Sequence, residues 1–219
     1  MSMNKIKEYV MIKDEFSHAK LEEVGCYEWN GELKYTDEIY KMLNKIFRMD
    51  RLITEVSYVV ALDHGKKPKG VCRIGQGDAN ETPTSMQNIF TFLLLSGANA
   101  FVLVHNHISN LPEASMEDRM TTMRTNNLAN MFDMEFIGNM IINPCGYLID
   151  GGIMDGTNRT LDENDNLVDC SVCDEDDEYN FKDESYEDES SDEEVLPYEA
   201  EELMAAVRKL REEVEKGGI

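Results

Sequence analysis

Phe101-Val-Leu-Val-His105-Asn-His107, followed by Ser115-Met-Glu-Asp118, is the stretch that decides the fold. A short apolar run ends in two histidines one residue apart. In a strand, residues i and i+2 point to the same side, so His105 and His107 present both imidazoles to one point. A Ser-x-x-Asp that opens a helix brings the Asp118 carboxylate towards that same point. Two neutral imidazoles, one carboxylate and an open fourth position describe a catalytic zinc site rather than a structural one. A plainer reading stands beside it: an acid three residues after Ser115 completes a capping box without any metal.

Outward from this stretch the chain alternates between strand and helix signals. Glu55-Val-Ser-Tyr-Val-Val-Ala-Leu-Asp63 is rich in β-branched and aromatic residues and predicts a strand. His64-Gly65 predicts a turn, residues 69–74 the return strand, and Gly75-Gln-Gly77 a break. Residues 85–95 predict a helix with a Thr84/Gln87 capping box and a stop at Gly97. Residues 100–104 are apolar throughout, as a strand buried on both faces must be. A third helix is predicted from Ser115 to about Phe132, with Met116, Met120, Met123, Leu128 and Met131 as its inner stripe. Residues 135–142 and 146–149 predict a closing hairpin across Asn143-Pro144-Cys145-Gly146.

Towards the N-terminus, residues 6–12 predict a strand and residues 27–33 a short hairpin turning near Asn30-Gly31. Thr36 is a candidate N-cap for a helix running to about Met49, with Ile39, Leu43, Ile46 and Phe47 at helical spacing. The expected class is α/β: a central mixed sheet flanked by helices.

Charge divides the chain. Its 219 residues carry a net charge of -23. Residues 155–219 hold 24 acidic and 6 basic side chains, net -18, which leaves -5 for residues 1–154. Such a balance repels phosphates and argues against nucleic-acid binding through a basic patch; it suits a basic protein partner instead. Residues 155–197 read as an acidic linker with too little apolar surface to fold alone. Residues 198–219 read as an amphipathic helix, with Leu203, Val207, Leu210 and Val214 in 4-3-4 spacing. Five cysteines, an odd number without framework spacing, point to free thiols in a reducing compartment. Cys170-Ser-Val-Cys173 is one Cys-x-x-Cys without the second pair that a closed zinc site needs. Residues 1–8 carry charges where a signal peptide has an apolar core, and no apolar run approaches the ~20 residues of a membrane span. A cytoplasmic protein is the expectation.

In the metal reading, the ion polarises a carbonyl and activates a water, and a carboxylate is still needed to move that water's proton. Glu55, at the start of a core strand, is the candidate. Ser115 is a candidate hydrogen-bond donor to the developing oxyanion.

His105-Asn-His107 with Ser115-x-x-Asp118 behind a buried strand resembles the JAB/MPN-type (JAMM) metalloprotease motif. The surroundings are similar to its bacterial RadC-like branch: Glu55 opening a strand that ends Ala-Leu-Asp63, then Gly75-Gln-Gly77, and a helix feeding the histidine strand. The resemblance covers roughly residues 36–150. It implies a cytidine-deaminase-like α/β sandwich with Zn2+ held by His105, His107 and Asp118. It further implies Glu55 as general base, Ser115 assisting the transition state, and cleavage of a peptide or isopeptide bond.

Three departures accompany it. Ile108-Ser109-Asn110 replaces the usual Pro-Ser-Gly, and Gly138-Asn139 replaces the usual Asp-His. Residues 1–35 do not read as the helix-hairpin-helix segment common ahead of this domain; they read as strands that extend it. The alternatives in function are a scaffold whose acidic tail binds a basic protein, with DNA mimicry as one form of that, and a DNA-repair-associated role.

Overall fold

The structure is a computed structural model that describes residues 4–77, 85–109 and 113–170. Nine strands form a single mixed sheet: β1 (Asn4–Lys13), β2 (Ala19–Trp29), β3 (Val56–Leu62), β4 (Pro68–Gln76), β5 (Ala100–Asn106), β6 (Glu135–Asn143), β7 (Gly146–Asp150), β8 (Asn158–Leu161) and β9 (Leu167–Asp169). Their order is β2-β1-β4-β3-β5-β6-β7-β8-β9. β1–β4 and β5–β6 are parallel; every other neighbouring pair is antiparallel. Among the described residues three α-helices accompany the sheet: α1 (Thr36–Phe47), α2 (Met86–Ser96) and α3 (Met116–Met131). Among the described residues no helix is long and apolar enough to cross a membrane.

Every residue of β3 and β5 is buried, because helices cover both faces of the sheet. Alternation sorts these strands into two cores. Val56, Tyr58, Val60, Val102 and Val104 face α1 residues such as Ile39, Met42 and Leu43. Val59, Ala61, Phe101 and Leu103 face Ile89, Phe92 and Leu93 of α2 and Ala129 of α3. His105 continues the second set, so the sheet's period of two aims it at the α2–α3 side.

The sheet, the three helices and the hairpin β6–β7 follow the sequence expectations, and several details differ. No hairpin turns at Asn30-Gly31. Tyr27 to Trp29 end β2, and the hairpin is β1–β2, turning through residues 14–18. That turn is built by Asp14, whose Oδ1 accepts from Phe16 N and His18 N, both at 2.8 Å, with Ser17 at φ 65°. It contains no glycine to announce it. Thr36 does not cap α1. Tyr35 holds that position without a side-chain cap, and the Thr36 hydroxyl pairs with Tyr147 Oη at 2.9 Å. Gly75-Gln-Gly77 does not break β4, which pairs through Gln76 with Val56.

Thr84 lies outside the described residues; Ser85 caps α2, its hydroxyl accepting from Asn88 N, and Gly97 ends that helix at φ 65° as expected. The methionines of α3 are not an inner stripe. Met116, Met120, Met123 and Met131 are all exposed, Leu128 alone of that set packs on the core, and Thr122, Thr125 and Ala129 are buried. Residues 158–169, expected to be linker, form β8 and β9 and extend the sheet. The acidic run beyond residue 170, with Cys173, and the amphipathic segment 198–219 lie outside the described residues.

Candidate metal centre

β5 carries His105 to its last turn of alternation, and His107 follows directly after the strand. His107 N donates to Ile142 O at 2.8 Å, which extends the β5–β6 register by one more bond and fixes the backbone there. α3 supplies the third group. Ser115 and Asp118 form a complete capping box: Ser115 Oγ accepts from Asp118 N at 3.1 Å, and Asp118 Oδ2 accepts from Ser115 N at 2.9 Å. Ser115 Oγ also donates to Asp118 Oδ2 at 2.8 Å.

The capping box is formed, and it leaves the Asp118 carboxylate free to take part in a metal site. Ser115 grips the Oδ2 side, and the carboxylate still reaches the histidines. Asp118 Oδ1 is 3.0 Å from His105 Nε2, and Oδ2 is 3.3 Å from His107 Nε2. The two Nε2 atoms are 3.0 Å apart. One donor atom from each of the three residues lies within 4.8 Å of the others, so the trio could hold a metal ion. Burial acts to raise the Asp118 pKa, but hydrogen bonds from His105 and His107, the His105 charge and the Ser115 hydrogen bond outweigh it. The carboxyl is held well below the usual carboxylate range and stays ionised.

The donor set fits a divalent ion of the zinc type. Two imidazole nitrogens this close need a shared proton or a shared cation between them. Two nitrogens and one carboxylate oxygen match the ligand types zinc takes when it keeps a position open. His105 is buried; His107 and Asp118 are half-buried, so the open side faces outward.

Glu55 sits one residue before β3, half-buried. Ser57 pairs with His105 across the antiparallel β3–β5 ladder, so continuing the register sets residue 55 beside the end of β5. Its backbone is clamped on both sides. Asn106 Oδ1 accepts from Val56 N at 2.9 Å, Asn106 Nδ2 donates to Thr54 O at 3.2 Å, and Glu55 O accepts from Gly77 N at 3.0 Å. The Asn between the two histidines thus ties the segment carrying Glu55 to the histidine strand.

Asn106, Asn139 and Thr122 join the site without a role that the sequence pattern assigns them. Asn139 Oδ1 lies 3.2 Å from His105 Nδ1, and Asn139 Nδ2 donates to Thr122 Oγ1 at 3.0 Å. The one signal for Asn139 was its place in the departure Gly138-Asn139.

Comparison with known proteins agrees with this geometry. Residues 33–149, more than half of the chain, match the RadC-like JAB domain. A UPF0758 protein of Thermotoga maritima is 24% identical over 130 residues, covering 59% of this chain and 55% of that protein. UPF0758 proteins of two Staphylococcus aureus strains are 29% identical over 107 residues, covering 47% of this chain and 49% of theirs. The chain spans about half the length of the curated relatives it matches. By its matched span and by the sheet, helices and residue trio within it, the chain belongs to the RadC-like JAB domain family.

Proposed function

We propose that the protein is a zinc-dependent hydrolase that cleaves a peptide or isopeptide bond. The observation that carries this reading is the convergence of His105 Nε2, His107 Nε2 and the Asp118 carboxylate on one half-open point. Zinc held there would supply a Lewis acid that polarises the scissile carbonyl and lowers the pKa of water towards ~7. His105 and His107 serve as neutral ligands and Asp118 as the anionic one, oriented by Ser115. Glu55 takes the proton from the attacking water and delivers it to the leaving amine. Ser115 turns its hydroxyl from Asp118 Oδ2 to the developing oxyanion. The clamp of Asn106 on residues 54 and 56 keeps the base in register with the ligands.

A reducing, cytoplasmic setting belongs to this reading, since five cysteines without framework spacing suit free thiols.

Glu55→Gln separates chemistry from metal binding. The variant should retain zinc and lose hydrolysis by about 100-fold or more, read on an unbiased peptide library. A wild-type rate in that variant would contradict the assignment.

A second reading rests on charge: net -18 of the chain's -23 lies in residues 155–219. In it the domain is a scaffold and the acidic segment captures a basic protein. Loss of partner capture on removing residues 171–219, with Glu55→Gln silent, would favour it.

A further inference from the structure

Asn139 lies directly behind His105 and is 1% exposed. It stands there because β6 carries a bulge. Pairing with β5 runs Phe101↔Phe136 and then Val102↔Gly138, which skips Ile137 and shifts the alternation by one. Phe136 therefore packs on the α2–α3 side, Ile137 and Met140 pack on the α1 side, and Asn139 joins His105. Gly138 makes the bulge possible. Its φ is +150°, and a Cβ there would meet Gly151 O at 2.7 Å.

We propose that Asn139, held by Thr122, is the positioning residue that fixes His105 in its metal-binding tautomer. The inference rests on the zinc-site reading above and deepens it. A neutral imidazole carries its proton on one nitrogen only. The Asn139 amide presents its oxygen to His105 Nδ1, and its Nδ2 donates to Thr122 Oγ1 on α3. An acceptor at Nδ1 keeps a proton there when a cation replaces the proton that Nε2 shares with His107 or Asp118, so Nε2 is left with the lone pair that ligation needs. A reversed amide would present N–H groups to Nδ1, drive the proton to Nε2 and abolish ligation. Thr122 is 6% exposed, so no bulk water competes for the amide. The same hydrogen-bonded line, α3 to β6 to β5, ties two ligand-bearing elements together: Asp118 and Thr122 are four residues apart on one helix.

The test uses the full chain and zinc alone, with affinity measured by competition against a chromophoric chelator. Asn139→Leu should weaken zinc binding by about 10–100-fold. Thr122→Val, which keeps the shape and removes the hydroxyl, should fall between wild type and that variant. The double variant replaces both hydrogen-bonding partners by apolar groups of similar size, which spares the fold; it should bind as weakly as Asn139→Leu. In the zinc-loaded wild type, 15N NMR of the His105 ring should show a proton on Nδ1 protected from exchange, a signature that a merely structural role for Asn139 would leave unmoved in the variants and that this proposal expects to lose. A folded double variant with zinc affinity within about twofold of wild type would overturn the proposal. Zinc binding that depends on Asn139 in a chain that cleaves nothing would leave it standing and sink the hydrolase reading. A wild type that binds no zinc would sink both.

Discussion

Single residues do two jobs where the site is built, and this is why parts of it can be read in advance and parts cannot. His105 and His107 converge by the period of a strand, and Asp118 reaches them from the first turn of a helix. Both geometries are short-range, so spacing along the chain reports them. Thr36 shows the opposite case. As a hydroxyl before two acids it fits an N-cap, yet its Oγ1 pairs with Tyr147 Oη, 111 positions away. No local pattern encodes that contact. Tyr147 also donates to Asp37, and burial, first, then that carboxylate push its pKa well above the ordinary tyrosine value, with Thr36 acting in the other direction. Because the folded state holds the proton more tightly than the unfolded chain, this contribution is complete below about pH 10 and is lost as pH rises through the native pKa. Tyr147→Phe should therefore flatten the alkaline limb of stability. Denaturation midpoints at pH 8 and pH 11 check this; equal wild-type losses in the variant would contradict it.

At the scale of elements, α3 is the clearest departure from pattern. Methionines at i, i+4 and i+7 read as a core stripe, and the structure turns them to solvent. The helix approaches the sheet closely, and a Cβ on Gly151 would run into the Thr122 methyl, so the face that fits is the one made of Thr122, Thr125 and Ala129. Small residues are chosen by the gap, which hydropathy along one helix does not record. Ala129→Leu should overpack this seam and cost about 1–3 kcal/mol, whereas Met123→Lys should change stability by no more than about 0.5 kcal/mol. Urea midpoints of the two variants decide it, and the reverse ranking would contradict the placement. The β6 bulge was equally hidden. Residues 135–142 read as a regular strand, and only the register with β5 reveals that one residue is skipped and that Asn139 changes sides.

Across the whole molecule, the order of elements was legible because each switches between periods of two and 3.6 at a strong boundary, such as Ser115 or Gly97. The sheet's far edge was not. β8 and β9 are short and partly exposed, and their acidic loop residues resemble linker composition. What makes them strands is an existing edge to pair with: Thr160 with Gly146 and Leu161 with Leu167. Gly146 lies so close to the Arg159 carbonyl that a side chain would not fit between them. The nine strands close within residues 4–170, so a chain ending at Cys170 should keep the unfolding midpoint and zinc stoichiometry of the full chain while losing salt-sensitive binding to polylysine. A truncated chain that no longer unfolds cooperatively would contradict the first expectation, and one that still binds polylysine as tightly would contradict the second.

A single ion shared by His105, His107 and Asp118 is what the proposed hydrolase requires. Metal analysis of protein purified without a histidine tag tests it most directly. About one zinc per chain is expected in the wild type and none in His107→Ala, with the variant's fold intact by circular dichroism. Zinc absent from both proteins, or present equally in both, would contradict the account.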